Sequence, residues 1–393
     1  MNISQAVILV GGRGKRLEPI TSKIPKPLVK VSGKPFIFHI FDQLNKYKFK
    51  EIVLLAGYKS QIFKRELLKY KSVYKNIRLL EQPENIETGA RLILAKDYLE
   101  KNFFLLYGDN YCGLDLKKII SHYKKSKSLF QLLVYYDWNK YSKPNIHVNE
   151  KNIVKVYDPK RLKKKLNYVD IGYMCLNKKV LERFRFSKNL SLGEHIIGNS
   201  VKKKIVTAYK TYNLYTTVGT MERLKKARIM LSNRKFIFLD RDGVLNVKPK
   251  KGRYVSNTNE IKWKRGSLKA LKLIKKKNYK TIIVTNQAGI GRRILKKDKV
   301  DKVNFKMSKD AKVNGGSIDY IYLCPHHWED KCFCRKPSPG LFLNAQFDLN
   351  LDFSKICYIG DKKTDRNVAE KLDIKYFNLG NKDSLYKLIE KYL

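Results

Sequence analysis

The sequence predicts an α/β protein of two domains, each built on a sheet with parallel strands. Short apolar runs of strand length alternate with stretches of helical period along the chain. Its 393 residues are more than one ordinary domain holds, and the alternation starts again after the dipeptide Ser232-Asn233. We therefore predict one domain over residues 1–231 and a second over residues 234–393.

In the first domain, helical stretches separate the strand-like runs, a pattern that favours a mixed or largely parallel sheet. The predicted strands are Ala6–Val10, Ile52–Ala56, Ile77–Leu80, Phe103–Tyr107, Leu129–Tyr135 and Val169–Cys175. The predicted helices are Phe36–Tyr47, Gln61–Lys69 and Met221–Leu231. The second domain should form a parallel sheet from Phe236–Leu239, Thr281–Val284, Tyr320–Leu323, Ile356–Ile359 and Lys375–Asn378.

Composition and charge limit the classes of partner. Hydrophobic residues make up 43% of the chain, enough for buried cores, and the formal net charge is +49. Because the excess lysine lies in both halves and no RNA-recognition or zinc-finger signature accompanies it, we expect a solvated surface that favours phosphorylated substrates. A nucleic-acid or membrane surface is the alternative. No apolar run reaches the roughly 20 residues of a membrane helix, and no signal peptide is visible, so a cytoplasmic protein without a membrane partner is expected.

Two aspartates follow the first strand of the second domain. Asp240 and Asp242 are spaced i, i+2 directly after Phe236–Leu239, so both side chains start on the same side. At the carboxyl end of a parallel strand they point into the crevice where α/β sheets bind ligands. A surface turn with two aspartates is the alternative interpretation.

Polar residues follow the later strands of this domain in the same way. Thr285 and Asn286 can hold phosphate oxygens through a hydroxyl and an amide, and Arg335 and Lys336 supply positive charge for the same oxygens. Asp361 follows the fourth strand and is a carboxylate suited to a hard cation. Phosphoryl transfer needs this combination of acids, cations and a positioned hydroxyl.

These residues resemble the four motifs of the haloacid dehalogenase superfamily of phosphatases, in the same order along the chain. The resemblance implies a Rossmannoid parallel sheet and a phospho-aspartate mechanism. It implies that Asp240 is the nucleophile and Asp242 the general acid and base. Mg²⁺ would be held by Asp240, Asp361 and the backbone carbonyl of Asp242, while Thr285 and Lys336 would stabilise the transferring phosphoryl group.

A compact cluster of cysteine and histidine precedes Arg335. Cysteine and imidazole are ligands of structural zinc, and the alternative is reduced core cysteines with chance histidines. The segment resembles the zinc loop of the D,D-heptose 1,7-bisphosphate phosphatases and the related histidinol phosphatases. The resemblance implies that Zn²⁺ is held by Cys324, His326, Cys332 and Cys334. His327 would lie outside the site, and Arg335 would be placed to meet a substrate phosphate.

A glycine-rich loop follows the first predicted strand of the chain. Gly11, Gly12 and Gly14 let backbone N–H groups approach phosphates closely, and Arg16 and Lys26 can neutralise a triphosphate. The stretch resembles the sugar-1-phosphate nucleotidylyltransferases, which transfer a nucleoside monophosphate from an NTP to a sugar phosphate. The alternative, a dinucleotide-binding domain, is disfavoured because the glycine spacing differs from the Rossmann fingerprint.

Later residues extend this resemblance over most of the first domain. It implies that Thr88 and Gly89 lie at the nucleobase, that Asp109 binds Mg²⁺ and that Lys160 meets the sugar phosphate. Thr217 stands where the family usually has a second metal-binding aspartate. A hydroxyl is a poor substitute for a carboxylate on Mg²⁺, so a non-catalytic nucleotide-sugar-binding domain is the alternative to a working transferase.

The two resemblances together imply a bifunctional enzyme of nucleotide-activated heptose synthesis, with heptose phosphates and an NTP as small-molecule substrates. The second domain would remove the 7-phosphate of D-glycero-D-manno-heptose 1,7-bisphosphate. The first domain would attach a nucleotide, expected to be GMP, to the resulting heptose 1-phosphate. The alternative for the phosphatase is another phosphoester such as histidinol phosphate. No oligomeric state is predicted.

Overall fold

A computed structural model describes residues 3–250, 252–380 and 383–393 of the chain. The chain forms two compact units, residues 1–232 and 233–393. Every strand and helix predicted above is present, and the ends differ from the prediction by no more than two residues. A last helix expected over Lys382–Tyr392 is observed over Leu385–Tyr392, and Lys382 lies outside the described residues. The local patterns of apolar residues therefore predicted most strands of the two main sheets, whereas β12 and the short strands of the first unit were not predicted.

The first unit contains strands and helices in alternation. Its strands are β1 Gln5–Leu9, β2 Lys30–Val31, β3 Lys34–Pro35, β4 Glu51–Ala56, β5 Ile77–Glu81, β6 Asn102–Tyr107, β7 Asn110–Cys112, β8 Phe130–Tyr135, β9 Ile146–Val148, β10 Val154–Tyr157, β11 Val169–Asn177, β12 Val206–Thr211 and β13 Tyr215–Thr217. Its α-helices are α1 Ile20–Lys23, α2 Phe36–Lys46, α3 Ser60–Lys69, α4 Thr88–Leu94, α5 Leu116–Ser126, α6 Gly198–Lys202 and α7 Met221–Met230.

The centre of the first unit, over its described residues, is a seven-stranded sheet in the order β12-β8-β11-β6-β1-β4-β5. β1 pairs in parallel with β4 and β6, whereas β11 runs antiparallel to β6 and β8, so the sheet is mixed, as predicted. All of β1 is buried, and Ala6 and Ile8 pack into a different core cluster from Val7 and Leu9. Both faces of the sheet are therefore covered, which explains the continuous apolar run of β1.

The second unit repeats the alternation with a smaller sheet. Its strands are β14 Lys235–Leu239, β15 Tyr279–Asn286, β16 Tyr320–Cys324, β17 Cys357–Gly360 and β18 Lys375–Asn378. Its α-helices are α8 Ser267–Lys276, α9 Ala288–Gly291, α10 Lys297–Val313, α11 Gly340–Leu349, α12 Lys363–Lys371 and α13 Leu385–Tyr392.

The strand order of the second sheet is β16-β15-β14-β17-β18, and every pairing in it is parallel. The chain builds outward from β14 to β15 and β16, then returns to the other side of β14 for β17 and β18. The direction of winding therefore changes at β14. Ligand crevices of open α/β sheets form at the carboxyl ends of the strands at such a point.

The helices pack one apolar face against the sheets. In α8, for example, the buried residues Ala270, Leu271 and Ile274 recur at helical spacing, and lysines occupy the opposite face. The same division between buried apolar and exposed basic residues accounts for much of the positive charge. Within the described ranges, no helix is both long and apolar enough to cross a membrane.

Two candidate active sites

Asp240 lies directly after β14, where the winding of the second sheet changes direction. Its side chain is almost completely buried; the backbone N–H of Arg241 donates to Oδ1 at 2.8 Å, and the Nζ of Lys336 lies 2.9 Å from the same atom. Burial raises the pKa of Asp240 to about 6, while Lys336 acts in the opposite direction. One carboxylate oxygen of Asp240 is thus held by the ammonium group of Lys336 and the backbone N–H of Arg241, which fixes the direction of the other oxygen.

Three carboxylates converge at this edge of the sheet. One oxygen from each of Asp240, Asp361 and Asp365 lies within 4.8 Å of the others. Asp361 Oδ1 is buried and has no hydrogen-bond partner among the described residues, whereas Lys248 donates to Oδ2 at 2.9 Å. Gly243 has a φ of 102°, and a Cβ there would lie 2.6 Å from Asp361 Cγ, so glycine is required for this close approach. Carboxylate oxygens are hard donors of the kind that Mg²⁺ prefers, and the unpartnered Asp361 Oδ1 is suited to such an ion.

Lys336 is completely buried and bridges two of these carboxylates. Its Nζ lies 2.9 Å from Asp240 Oδ1 and 2.8 Å from Asp365 Oδ1, and it donates to the Tyr358 hydroxyl at 2.8 Å. Burial lowers the pKa of Lys336, but the two carboxylates outweigh this effect and raise it above its usual value. Tyr358 in turn donates to Asp365 at 2.7 Å. Asp365, which the sequence analysis did not assign, therefore positions the lysine.

Donors from three other residues surround the carboxylate of Asp242. Arg241 is fully buried and donates Nε to Oδ1 at 3.2 Å and Nη2 to Oδ2 at 3.1 Å. Gln287 donates to Oδ2 at 2.7 Å and Asn246 to Oδ1 at 3.0 Å. Burial raises the pKa of Asp242, but these three donors outweigh burial and hold the pKa below its usual value. Asp242 is therefore an ionised carboxylate that can accept a proton.

A basic cavity of about 690 Å³ opens beside these groups. Asp242, Asn286, Arg335 and Lys336 line it, whereas Thr285 is buried and its hydroxyl accepts a hydrogen bond from the Gln287 amide at 3.0 Å. Other cations along its wall are Lys248, Lys250, Arg253, Lys331 and Lys362. So many cations around one cavity favour a ligand with several negative charges.

The cysteine and histidine cluster is assembled in the second unit. Cys334 Sγ lies 3.3 Å from Cys324 Sγ and 3.5 Å from Cys332 Sγ, and His326 Nδ1 lies 3.1 Å from Cys334 Sγ. All four donor atoms lie within 4.8 Å of one another, and His327 lies outside the group. One tetrahedral zinc with bonds of about 2.0–2.3 Å spans such separations, so the donor set fits the metal.

The first unit has a separate cavity of about 670 Å³, which we call the loop cavity, beside the glycine loop that follows β1. The residues assigned from the sequence that line it are Gly11, Gly12, Gly14, Arg16, Lys26, Thr88 and Asp109. Lys26 and Asp109 form an ion pair within it. A glycine loop with two cations suits a triphosphate, and Asp109 is a suitable oxygen ligand for Mg²⁺.

Thr217 lies near Gly219, a residue that lines the loop cavity. β13 ends at Thr217 and pairs antiparallel with β7, whose first residue follows Asp109 in the chain. A Cβ at Gly219 would lie 3.5 Å from Thr217 Oγ1, 3.8 Å from Lys26 Nζ and 3.9 Å from Arg16 Nη2. The hydroxyl therefore lies close to two cations that could also accommodate a carboxylate.

Two residues assigned from the sequence, Lys160 and Gly89, do not line the loop cavity. Lys160 lines a different cavity of about 310 Å³, and its Nζ lies 3.8 Å from Glu194. It follows β10, which belongs to a small two-stranded sheet with β9 rather than to the central sheet. Gly89 is buried within α4, where a Cβ would lie 2.7 Å from the carbonyl oxygen of Leu190, so its role here is close packing.

Comparison with known proteins identifies both units. Residues 5–230 match the model of the family described as nucleotidyl transferase, and residues 235–381 match that of the family described as polynucleotide kinase 3 phosphatase. The first match covers more than half of the chain, which therefore belongs to the nucleotidyl transferase family and carries a haloacid dehalogenase-like second unit. Both resemblances stated from the sequence are confirmed.

Three curated relatives make the comparison more specific. The chain is 36% identical over 141 residues to the D-glycero-beta-D-manno-heptose-1,7-bisphosphate 7-phosphatase of Vibrio cholerae, which covers 34% of this chain and 74% of that protein. It is 30% identical over 200 residues to the D-glycero-alpha-D-manno-heptose 1-phosphate guanylyltransferase of Campylobacter jejuni, with 51% and 88% covered. It is 28% identical over 247 residues to a probable glucose-1-phosphate cytidylyltransferase of Bacillus subtilis, with 58% and 95% covered.

Proposed function

We propose that the chain is a bifunctional enzyme that makes a nucleotide-activated heptose. The second unit removes the 7-phosphate of D-glycero-D-manno-heptose 1,7-bisphosphate, and the first unit joins the product, heptose 1-phosphate, to a nucleoside monophosphate from an NTP, with GTP expected. The observation that supports this most is the presence, in one chain, of two sites whose relatives act on a heptose 1,7-bisphosphate and on a heptose 1-phosphate. The proposal keeps the cytoplasmic location expected from the sequence.

In the phosphatase step, Asp240 is the nucleophile. Its Oδ2, which lies 4.0 Å from Lys362 Nζ, attacks the phosphorus, the bond to the sugar oxygen breaks, and Asp242 donates a proton to that leaving oxygen. Arg241 lowers the pKa of Asp242 in the free protein, and the negative charge of a bound phosphate acts in the opposite direction, which favours the protonated acid when substrate is present. Lys336, fixed by two carboxylates, neutralises charge on the phosphoryl oxygens.

Hydrolysis of the phospho-aspartate regenerates the enzyme. Asp242, ionised after it has given up its proton, takes a proton from water, and the oxygen of that water attacks the phosphorus. The Asp240 carboxylate leaves and phosphate is released. Mg²⁺, if held by Asp240, Asp361 and the backbone carbonyl of Asp242, would supply further positive charge to the phosphoryl oxygens in both steps.

In the transferase step, an oxygen of heptose 1-phosphate attacks the α-phosphorus of the NTP and pyrophosphate leaves. The backbone of the glycine loop, together with Arg16 and Lys26, binds the triphosphate and neutralises the leaving pyrophosphate. Asp109 would bind Mg²⁺, which lowers the cost of bringing two anions together. In the free protein Asp109 is paired with Lys26, so nucleotide and metal must replace this ion pair.

Product analysis of the full-length protein tests the proposal. With heptose 1,7-bisphosphate and GTP, we expect one phosphate and one pyrophosphate per heptose, and a nucleotide heptose visible by mass spectrometry. Omitting GTP should leave phosphate release intact. Faster phosphate release from histidinol phosphate than from the heptose bisphosphate would contradict the proposed substrate, and absence of pyrophosphate with every NTP would contradict the transferase.

The two heptose relatives differ in anomer, since one name specifies the β-bisphosphate and the other the α-1-phosphate. Two activities in one chain run in sequence only if they accept the same anomer. We therefore expect the phosphatase and the transferase of this protein to prefer the same anomer, which rate measurements with both anomers of each substrate will show. Opposite preferences would mean that the two units serve separate reactions.

The cysteine and histidine cluster is proposed to bind one structural Zn²⁺ per chain. Replacing Cys334 by Ser removes a thiolate, so we expect zinc content to fall to well below one per chain and phosphatase activity to fall with it, because Arg335 and Lys336 follow Cys334 directly. Elemental analysis measures the metal. The matched control is Cys357→Ser, which changes a cysteine of the same unit outside the cluster and should retain zinc. Freshly purified native protein without zinc, made with zinc available, would contradict the assignment.

A further inference from the structure

Arg91 is a buried arginine in the wall of the loop cavity. It lies on α4, only 3% of its surface is exposed, and its guanidinium reaches the carboxyl ends of β1 and β4. Its Nη2 donates to the carbonyl of Glu84 at 3.1 Å and lies 3.5 Å from the carbonyl of Gly11. Its Nη1 is buried and has no hydrogen-bond partner within the described part of the chain. A charged donor is thus built into the wall of the cavity with hydrogen-bonding capacity to spare.

Two glycines make room for this guanidinium. A Cβ on Gly11 would lie 2.8 Å from Arg91 Nη1, and a Cβ on Gly57 would lie 2.6 Å from the same atom. Any other residue at either position would displace the arginine, because both contacts are closer than carbon and nitrogen approach without a bond. The unpartnered Nη1 is therefore held between the glycine loop and the end of β4, in a residue that lines the loop cavity.

The loop cavity has two ends that differ in the charged residues lining them. Arg16 and Lys26 converge at Gly219, and this cationic end suits the phosphates. The Arg91 end is also lined by Glu84 and Glu87, whose charges act on the guanidinium, and by Ile86, which is apolar and buried. A polyanion is disfavoured beside two carboxylates, whereas the flat face of a base can pack on an apolar side chain.

We propose that Arg91 determines base specificity by donating from Nη1 to a nucleobase edge with adjacent acceptors. This inference rests on the proposed nucleotidyl transfer. A guanidinium carries donors and no acceptor. Guanine presents N7 beside O6, and cytosine presents N3 beside O2, so either base satisfies the arginine. In adenine the amino group lies beside N7, so a hydrogen-bond donor of the base would face the donor of the arginine. In uracil an N–H lies between the two carbonyl oxygens, so the two acceptors are not adjacent.

Nucleotide binding and turnover test this role in the full-length protein. Dissociation constants for GTP, CTP, ATP and UTP are measured by calorimetry, and kcat/KM is measured from pyrophosphate release with heptose 1-phosphate. We expect GTP or CTP to bind at least about tenfold more tightly than ATP. The comparison of GTP with CTP shows which of the two bases the site takes. Equal affinity of the native protein for ATP and for both favoured nucleotides would overturn the proposal.

Two variants separate base reading from a structural role of Arg91. Arg91→Met keeps the length of the side chain without its donors, and we expect ATP affinity to persist through the phosphate contacts while the preference over ATP disappears. Arg91→Lys keeps a cation and a donor, and should retain part of the preference. The control Arg78→Met makes the same change at an exposed arginine on β5 and should leave all affinities unchanged. An unaltered preference in Arg91→Met would overturn the proposal.

Nucleotide affinity and pyrophosphate release together distinguish the role of Arg91 from the proposed transferase activity. Base preference in binding without pyrophosphate release from any NTP would contradict the transferase activity and support the role of Arg91. Turnover with all four NTPs at similar kcat/KM would support the transferase and overturn the role of Arg91. If Arg91→Met unfolds, which circular dichroism and thermal unfolding will show, the comparison of native protein with Arg91→Lys decides the question.

Discussion

Asn in place of Asp240 is expected to lower phosphatase turnover by roughly a thousandfold or more, while pyrophosphate release stays at the native rate. The substitution removes the nucleophilic charge and keeps the shape of the side chain. The fold should persist because Lys336 keeps a charged partner in Asp365 at 2.8 Å and because the amide oxygen of Asn can still accept from the backbone of Arg241. The measurement is phosphate release from heptose 1,7-bisphosphate.

Asp301→Asn is the matched control for Asp240→Asn. It makes the same chemical change in the same unit at a half-exposed aspartate of α10, which is paired with the exposed Lys297. Both activities should remain native, since an exposed ion pair of this kind contributes about 0.3–0.5 kcal/mol. Phosphatase turnover within a few-fold of native in Asp240→Asn would rule out the phospho-aspartate mechanism.

Loss of Asp109 is expected to abolish pyrophosphate release. Asp109→Ala removes the carboxylate proposed for Mg²⁺, and metal ions carry much of the charge stabilisation when a nucleotidyl group moves. It also leaves Lys26 without its ion-pair partner at the cavity wall. Phosphate release should be unchanged, because Asp240 and its partners lie in the other unit. The control is Asp97→Ala, which changes an exposed aspartate of the first unit and should leave pyrophosphate release intact.

Thr217→Asp adds a carboxylate to the transferase site, where Asp109→Ala removes one, so the opposite effect on pyrophosphate release is expected. Arg16 and Lys26 lie close to the threonine hydroxyl, so a new carboxylate there has cationic partners and can add a second ligand for Mg²⁺. We expect pyrophosphate release to be kept or raised. If the native protein binds NTP and heptose 1-phosphate without releasing pyrophosphate, and Thr217→Asp gains the activity, the first unit of the native chain is a binding module.

The sequence predicted six of the seven strands of the first sheet and all five of the second, because their signals are local. β1 and β14 are continuous apolar runs, each followed by residues that cannot continue a buried strand: Gly11-Gly12 in the first unit and Asp240 in the second. Parallel strands buried on both faces have this composition, and their carboxyl ends carry the ligand-binding groups. Motif residues on several strands could therefore be assigned to one site before any distance was known.

The positions of buried charges could not be predicted in this way. Arg241 lies between two acidic motif residues, and Arg91 lies on a helix, so nothing local distinguishes either from an exposed arginine. Asp365 offered a signal, since it follows Asp361 by four residues in the first turn of α12. The motif match at Lys160 also did not show that this lysine follows β10, a strand of a separate small sheet, and lines a different cavity.

What the sequence by itself determined is the set of elements, the two families and the chemical types at each site, since apolar periodicity and motif spacing are properties of neighbouring residues. Only the tertiary structure decided which charges meet. Lys336 is charged because Asp240 approaches it from the end of β14 and Asp365 from the first turn of α12, and Arg91 is buried because Gly11 and Gly57 lack side chains at the ends of two strands. A charge buried in a protein depends on partners distant in sequence, and only folding brings those partners within reach.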